Sequence, residues 1–524
     1  MDTSCKQLGI TVPENFENNY DSEEAFYDFE VEDELRVDGK VVPFNAYVEH
    51  QVKNLNPGQK TAFDRLWQAI LGEIEQKFFF LQGSGGTGKT HVYNTLIDYC
   101  KMNGKKVLAC ASTGIAATLL KGGMTAHSAL YIPKELNSES RTRIGAHTEK
   151  GQFLNELDLL IIDEVSMLHK EVLKYIDRTL RTIKDNDELF GGVTVLIGGD
   201  WKQLTPVVPK GSAAQIIEAS VKSWEEFFNS EQLDLTQNMR VKEGELEFVE
   251  ELRQIGNGEL SKFIKGTNSI QIDDENVVPT QQDLINFCFE PQWLQNPTGF
   301  IENLCGSAIL CPTNSVVQEI NEEILNNMQG DEQVFNGIDT VVSDKEIDDF
   351  NGELNEHSIE AMNRIETAGM PPHVLKLKKG AIVMLIKNLS VFTGLCNGTR
   401  MQVLRADNSL LKCKVLSGSR SQSGEIVFLP LCKFEYGNVK SEPGVHFTRT
   451  QFPVKLSFAI SINKAQGQTL SRVGLNFRQG ECFSHGQLYT AMSRVRTKDS
   501  LKIFPSTKAN TCTNVVWHRL LDKN

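Results

Sequence analysis

Continuous apolar runs of strand length recur along the chain. Uninterrupted apolar residues are typical of strands that are buried on both faces of a parallel sheet. Segments with helical periodicity, such as TAFDRLWQAILGEI (61–74) and HVYNTLIDYCKM (91–102), separate the runs. This alternation predicts an α/β fold with parallel sheets, in which ligands bind at the carboxyl ends of the strands. The runs are FFFLQG (78–83), KVLACAST (106–113), LDLLIIDE (157–164), VTVLIGGD (193–200), AILCPT (308–313) and SFAISI (457–462).

Residues 375–450 have a different pattern. Short β-prone pieces, among them GAIVMLIKN and GEIVFLPL, are broken by Gly, Asn and Ser. Strand signals of the α/β type resume afterwards. The pattern therefore predicts a small antiparallel β-barrel inserted into a second α/β domain. Residues 326–365 are polar and weakly patterned, which indicates a surface excursion.

Composition is that of an ordinary globular protein of several domains. The chain has 524 residues, of which 40% are hydrophobic and 23% charged. No run approaches the ~18 apolar residues that a membrane span needs, and the first ten residues lack a signal-peptide core. The eleven cysteines form no CxxC pair. We therefore expect an intracellular protein with reduced thiols and without a zinc ribbon.

The negative charge is concentrated at one end. The net charge is −14, but residues 1–50 contain thirteen Asp or Glu and three Lys or Arg. The other 474 residues contain 55 acidic and 51 basic side chains, which is nearly balanced. We expect residues 1–50 to be a disordered acidic leader, or less favourably a docking segment. The charge of the rest does not exclude a nucleic-acid partner.

A phosphate-binding loop follows the first predicted strand. GSGGTGKT (83–90) fits the GxxxxGK(S/T) pattern and stands between a strand and a helix. Its glycines let backbone N–H groups surround phosphates, its lysine reaches the terminal phosphates, and its final hydroxyl binds Mg²⁺. The pattern predicts an ATP site that contains Gly83, Ser84, Gly85, Gly86, Thr87, Gly88, Lys89 and Thr90.

Acidic and amide side chains follow the next strands. Asp163 and Glu164 end a buried run, which directs them to the same sheet edge as the loop. We assign Asp163, with Thr90, to Mg²⁺ and Glu164 to activation of the attacking water. In GGDWKQLTPV, Gln203 is a candidate sensor of the γ-phosphate, and Asp200 is expected to support the site.

In chain order, nine short segments of the sequence resemble the motifs of superfamily 1 helicases of the RecD-like PIF (petite integration frequency) type. The resemblance covers about residues 55–515, and the segment 369–401 is similar to Helitron-encoded branches. Ser112 and Ala465 stand where the family commonly has Pro and Ser, and neither change removes a catalytic group. The motifs are LNPGQKTAF (55–63), GSGGTGKT (83–90), ASTGIAA (111–117), TAHSAL (125–130), IIDEVSM (161–167), GDWKQLTPV (199–207), LTQNMR (235–240), INKAQGQTL (462–470) and QLYTAMSRV (487–495).

The resemblance implies two RecA-like domains that bind ATP and Mg²⁺ between them. It implies that Gln59 contacts adenine and that Arg240 and Arg494 contact the γ-phosphate, as the transition-state charge requires. It also implies 5′-to-3′ movement on single-stranded DNA. The predicted domains are a leader (1–50), a first P-loop domain (51–210), a second RecA-like domain (211–374 and 451–515) and the inserted barrel (375–450).

A translocase without sequence preference grips phosphates and stacks bases. Between 439 and 480 there are six Lys or Arg against one Glu, which favours a DNA groove over a merely solvated face. The residues that match DNA-contacting motifs are Ser112, Thr113, His127, Thr313, Asn314, Lys464, Gln468 and Thr469.

The sequence thus predicts an ATP-dependent DNA helicase for replication, repair, recombination or telomere maintenance. We expect a monomer that binds single-stranded and forked DNA and no membrane, in the nucleus, with the mitochondrion left open. Two alternatives remain at this stage. One is an ATP-gated DNA clamp or a translocase that does not unwind, and the other is the helicase part of a Helitron-like element or a virus.

Overall fold

The structure is a computed structural model. It describes residues 35–133, 135–137, 139–239, 245–259, 264, 267–341, 362–365, 367, 369–390, 393–417, 424–437, 446–506 and 509–522. Most of the predicted acidic leader, residues 1–34, lies outside these ranges. Among the helices described, none is long and apolar enough to cross a membrane.

The first α/β domain is built on a parallel sheet. Within the described ranges this sheet has six strands, and they include four of the six strands predicted from apolar runs. Helices cover both faces of the sheet, which is why its strands are apolar at consecutive positions. In sheet order the strands are Met124–Thr125, Val107–Ala111, Leu159–Asp163, Thr194–Gly199, Phe78–Gly83 and Glu231–Leu235. The helices around it are Phe44–Lys53, Pro57–Leu71, Lys89–Met102, Gly114–Thr118, Ala126–Ala129, Glu149–Asn155, Lys170–Lys184 and Ala213–Ala219.

Two boundaries of this domain differ from the sequence prediction. Strand Glu231–Leu235 pairs in parallel with Phe78–Gly83, so the first sheet continues beyond residue 210. Helix Phe44–Lys53 packs on helix Lys89–Met102 and buries Val48 completely, so the leader does not extend to residue 50. We therefore place the first domain at about residues 44–239.

The second α/β domain also has a parallel sheet, which contains the other two predicted strands. Its four strands in the described chain, in sheet order, are Ala459–Ser461, Ser307–Cys311, Arg472–Asn476 and Leu501–Phe504. Ser269–Gln271 and Thr511–Thr513 form a separate antiparallel pair. The helices are Leu246–Asn257, Gln281–Cys288, Pro291–Gln295, Ile301–Cys305, Asn314–Asn327, Ile462–Ala465, Gln487–Met492 and His518–Leu521.

The insertion consists of antiparallel strands, as predicted, but it is wider than 375–450. Pairing of strand Gln333–Asn336 with strand Val374–Leu377 brings part of the predicted surface excursion into it. Three of the four residues of Gln333–Asn336 are exposed, which explains why no apolar pattern marks this strand. We place the insertion at about residues 333–456. Its other strands are Ile338–Val341, Ile382–Leu385, Arg400–Ala406, Leu410–Val415, Ile426–Pro430, Cys432–Tyr436, Phe447–Gln451 and Val454–Leu456.

Candidate nucleotide site and nucleic-acid interface

The loop 83–90 joins strand Phe78–Gly83 to helix Lys89–Met102 in a shape that requires glycine. Gly86 and Gly88 have φ values of +92° and +85°, where side chains are disfavoured. A Cβ on Gly83 would lie 2.4 Å from the Thr87 hydroxyl, which itself donates to the Ser84 carbonyl at 2.9 Å. The loop therefore presents backbone N–H groups at the positive end of a fourteen-residue helix, a geometry suited to phosphate.

Lys89 and Gln59 lie against this loop. Lys89 is 9% exposed, and its ammonium donates to the Gly83 carbonyl. Gln59 is placed by a capping box at the start of helix Pro57–Leu71. Its Nε2 donates to the Thr87 carbonyl at 3.2 Å, and its Oε1 accepts from the Asn56 N–H at 3.1 Å. Gln59 is thus beside the loop as predicted, and its contact with adenine stays a prediction.

The segment before Arg240 also contacts the loop. The Met239 N–H donates to the Gly86 carbonyl at 2.9 Å, and Asn238 Nδ2 lies 3.5 Å from the Gly85 carbonyl. Arg240 itself lies outside the described residues. Its predicted role is therefore untested, although the two preceding residues are at the phosphate loop.

Asp163 is the last residue of strand Leu159–Asp163, and Glu164 follows it directly. Asp163 Oδ1 accepts from the Glu164 N–H at 2.8 Å and from the Tyr93 hydroxyl at 3.3 Å. Burial, and then the negative charge of Glu164, raise the pKa of Asp163 to about 7, and the Lys89 ammonium opposes this shift. A divalent cation would stabilise such a buried carboxylate. Hard oxygen donors from Asp163 and from half-buried Thr90, in the first helical turn, fit Mg²⁺.

Gln203 and Asp200 lie where the first sheet meets the second domain. Gln203 Nε2 donates to Asp200 Oδ2 at 3.1 Å, and the Tyr489 hydroxyl donates to the same oxygen at 2.9 Å. The ring Nε2 of His485 lies 2.7 Å from the Trp201 carbonyl. These bonds tie the end of strand Thr194–Gly199 to the segment of the second domain that contains Arg494.

Arg494 reaches the phosphate loop from the second domain. It is 5% exposed, and its Nε and Nη1 donate to the carbonyls of Thr490 and Gln468 at 2.8 and 3.2 Å. A Cβ on Gly85 would lie 4.0 Å from Arg494 Nη2. The guanidinium is therefore held rigidly next to the loop, where charge develops when a phosphoryl group is transferred.

Gln466 is a site residue that the sequence analysis missed. Its Nε2 donates to Glu164 Oε2 at 2.8 Å across the domain interface, and its side chain is 3% exposed. Its neighbours Lys464, Gln468 and Thr469 are predicted DNA contacts, whereas no role was predicted for Gln466. The available signal was a glutamine in INKAQGQTL, four residues after the end of the predicted strand 457–462.

The first two predicted DNA contacts have structural partners. The Ser112 hydroxyl donates to the Glu164 carbonyl at 2.9 Å, so this side chain faces the nucleotide site. Thr113 caps helix Gly114–Thr118 by accepting from the Ala116 N–H at 3.3 Å. Both hydroxyls thus form hydrogen bonds within the first domain. Their contacts with DNA stay predictions.

The other predicted DNA contacts differ in exposure. His127, Asn314 and Thr469 are exposed and Thr313 is half-buried. Gln468 is buried and donates to the Lys464 carbonyl at 2.8 Å. Burial, and then the nearby charge of Lys455, lower the pKa of the Lys464 ammonium to about 8. A group held in this way gains from a phosphate neighbour, which would stabilise its charged form.

Within the described part of the basic stretch 439–480, Arg449 does not belong to a DNA groove, which corrects that part of the sequence prediction. Arg449 is fully buried and forms an ion pair with Asp339 at 2.8 Å. Arg472 pairs with Glu290 at 2.8 Å, and Arg478 packs over the Phe504 ring. The sequence shows the charges but not the partners that neutralise them. Lys440 lies outside the described residues.

A cavity of about 290 Å³ adjoins the loop. Its walls include Ser84 of the loop, the end of strand Glu231–Leu235, helix Leu246–Asn257, and Tyr489 and Arg496 of the second domain. The candidate site is therefore open beside the loop and composed of both domains.

Comparison with known proteins agrees with this fold. A family model described as PIF1-like helicase matches residues 54–266, and one described as DNA helicase Pif1, 2B domain, matches residues 360–405. The ATP-dependent DNA helicase PIF1 of Rattus norvegicus is 27% identical over 464 residues, which are 86% of this chain and 63% of the rat protein. The chain spans 58–64% of the length of its vertebrate PIF1 relatives.

Two solved structures are similar over most of the chain. The Pif1 helicase from Candida albicans has a TM-score of 0.61 at 23% identity, covering 89% of this chain and 98% of that one. The Pif1 helicase from Bacteroides in complex with ADP–AlF3 and single-stranded DNA has a TM-score of 0.62 at 23% identity, covering 89% and 96%. These likenesses confirm the predicted fold class.

Proposed function

We propose that this chain, which a family model described as PIF1-like helicase matches at residues 54–266, is an ATP-dependent DNA helicase that moves 5′-to-3′ on single-stranded DNA and unwinds duplexes. One observation carries the proposal. Lys89 of the first domain and Arg494 of the second lie at one phosphate loop, and Gln466 of the second domain donates to the Glu164 carboxylate of the first. Closing and opening of such a divided site can move two DNA-binding surfaces relative to each other.

The geometry suggests how ATP is hydrolysed. In this proposal Lys89 exchanges the Gly83 carbonyl for the terminal phosphates, and the loop N–H groups hold the others. Asp163 and Thr90 would hold Mg²⁺, which would neutralise phosphate charge. A water attacks the γ-phosphorus while the bond to the β–γ bridging oxygen breaks, and Glu164 takes the proton of the water. Arg494, with Arg240 and Gln203, stabilises the charge on the γ-phosphoryl oxygens.

DNA binding would use both domains. Ser112, Thr113 and His127 belong to the first domain, whereas Thr313, Asn314, Lys464, Gln468 and Thr469 belong to the second. If each group grips the strand in alternation, every ATP cycle advances the protein along it. We propose single-stranded and forked DNA as partners, a monomeric enzyme, and a role in nuclear DNA replication, repair, recombination or telomere maintenance.

The test is strand displacement from two partial duplexes, one with a 5′ single-stranded tail and one with a 3′ tail. We expect ATP- and Mg²⁺-dependent unwinding of the 5′-tailed substrate, with loss of activity in Lys89→Ala and Glu164→Gln. If single-stranded DNA stimulates ATP hydrolysis but no strand is displaced, the protein is a translocase or a clamp rather than a helicase. No stimulated hydrolysis at all would refute the proposal, and preference for the 3′ tail would refute its polarity.

A further inference from the structure

The carboxylate of Glu164 is held from the opposite domain. The hydrogen bond from Gln466 Nε2 to Glu164 Oε2 is 2.8 Å long, and the residues are 3% and 8% exposed. Gln466 and Glu164 are 302 positions apart in the sequence. Because both groups are out of solvent, water does not compete effectively for this bond.

The backbone of Glu164 is fixed in an uncommon conformation. Its φ of 57° and ψ of 41° lie in the left-handed region, which non-glycine residues seldom occupy. Its N–H donates to Asp163 Oδ1 at 2.8 Å, and its carbonyl accepts from the Ser112 hydroxyl at 2.9 Å. The first domain therefore fixes the main chain of Glu164. In the part of the chain that the structure describes, Gln466 supplies the side-chain hydrogen bond to its carboxylate.

The second atom of the Gln466 amide is available for a further bond. Gln466 Oε1 is buried and has no hydrogen-bond partner within the described residues. Buried amide oxygens are nearly always hydrogen-bonded, so this acceptor indicates a donor that is not part of the protein. A water bound next to Glu164 could donate one hydrogen to the carboxylate and the other to this oxygen. Its lone pair would then be free to attack phosphorus.

Gln466 also lies on the turn that connects the predicted DNA contacts to Arg494. This turn follows the short helix Ile462–Ala465, and Gly467 has a φ of +79°. The Gln468 carbonyl accepts from Arg494 Nη1 at 3.2 Å, and Gln468 Nε2 donates to the Lys464 carbonyl at 2.8 Å. A shift of Lys464 on binding DNA would therefore be transmitted to Gln466 and Arg494 together.

We propose that Gln466 is a positioning residue that orients the Glu164 carboxylate and the attacking water only while the two domains are closed. It thereby makes hydrolysis depend on the state of the DNA-binding turn 464–469. This inference rests on the proposed ATPase function. The reaction itself is unchanged: the water oxygen bonds to the γ-phosphorus, the bond to the bridging oxygen breaks, and Glu164 receives the proton.

The first test compares Gln466→Met with Gln282→Ala, a control on the exposed face of helix Gln281–Cys288. Methionine keeps the side-chain length and removes both the donor and the acceptor. We expect kcat of the DNA-stimulated ATPase to fall roughly 10- to 100-fold. KM for ATP and Kd for single-stranded DNA should change less than about twofold, and Tm should change less than about 2 °C. The Gln282→Ala control should match wild type in all of these. Unchanged kcat in Gln466→Met would overturn the inference.

A double-mutant cycle separates positioning from a general structural effect. If Gln466 acts through Glu164, adding Gln466→Met to Glu164→Gln should lower the residual kcat by less than about twofold. Full additivity of the two losses would overturn the inference even if the single variant is slow. Failure of the proposed function is distinguishable, since the wild-type protein would then show no hydrolysis stimulated by single-stranded DNA.

Discussion

The buried ion pair of the insertion allows a quantitative prediction. Arg449 donates to both oxygens of Asp339 at 2.8 Å and to the carbonyls of Met362, Ile365 and Pro371 at 2.8–3.1 Å. Arg449 and Asp339 are 0% and 1% exposed. Replacing Arg449 by Met leaves the buried carboxylate with His373 Nδ1, at 3.2 Å, but without its bidentate partner, and leaves three carbonyls without this donor. Breaking one side of a buried pair costs about 3–5 kcal/mol.

We expect Arg449→Met to lower the free energy of unfolding of the insertion by this amount. The assay is hydrogen exchange of the amides in strands Ile338–Val341 and Phe447–Gln451, because it reports on one region of a multidomain chain. Arg405→Met is the matched control, since its pair with Asp407 in the same insertion is exposed and worth less than about 1 kcal/mol.

The same variant tests whether Arg449 is correctly excluded from the predicted DNA groove. Kd for single-stranded DNA and its dependence on salt concentration should be unchanged in Arg449→Met, because a buried arginine neutralises no phosphate. Weaker DNA binding with unchanged amide protection would refute the reasoning. Such a result would mean that the Arg449 guanidinium binds DNA instead of pairing with Asp339.

Three further predictions concern the nucleotide and DNA sites. Because burial lowers the pKa of Lys464 to about 8, its charge is lost as pH rises from 7 to 9, and DNA affinity should fall roughly fivefold more in wild type than in Lys464→Arg. Fluorescence anisotropy measures this, and equal pH profiles would contradict it. Tyr489→Phe removes a 2.9 Å bond to Asp200 across the interface and should lower kcat about tenfold at unchanged Tm; a change below twofold would mean that the bond does not assist closure. Asp163→Asn should lower the rate of ATP hydrolysis at least about 100-fold at every Mg²⁺ concentration. If the variant instead depends on Mg²⁺ concentration as wild type does, Asp163 is not a ligand of the ion.

Local pattern was sufficient where a feature depends on neighbouring residues. All six strands predicted from continuous apolar runs are present, because strands buried on both faces need apolar residues at every position. The phosphate loop was equally readable, since its glycines, lysine and threonine stand at fixed spacing. Strand Glu231–Leu235 was missed because it lies at the sheet edge, where its burial alternates and leaves no apolar run.

The sequence by itself determined the parallel α/β class, the inserted β domain, and the positions of the glycine-rich loop and of the Asp163–Glu164 pair at the ends of buried strands. Only the tertiary structure decided which charges are internal and which glutamine contacts the Glu164 carboxylate. Arg449 and Asp339 are 110 positions apart, and Gln466 and Glu164 are 302 apart. No local pattern encodes such pairs, because burial and closeness of distant side chains follow from the packing of whole domains rather than from neighbouring residues.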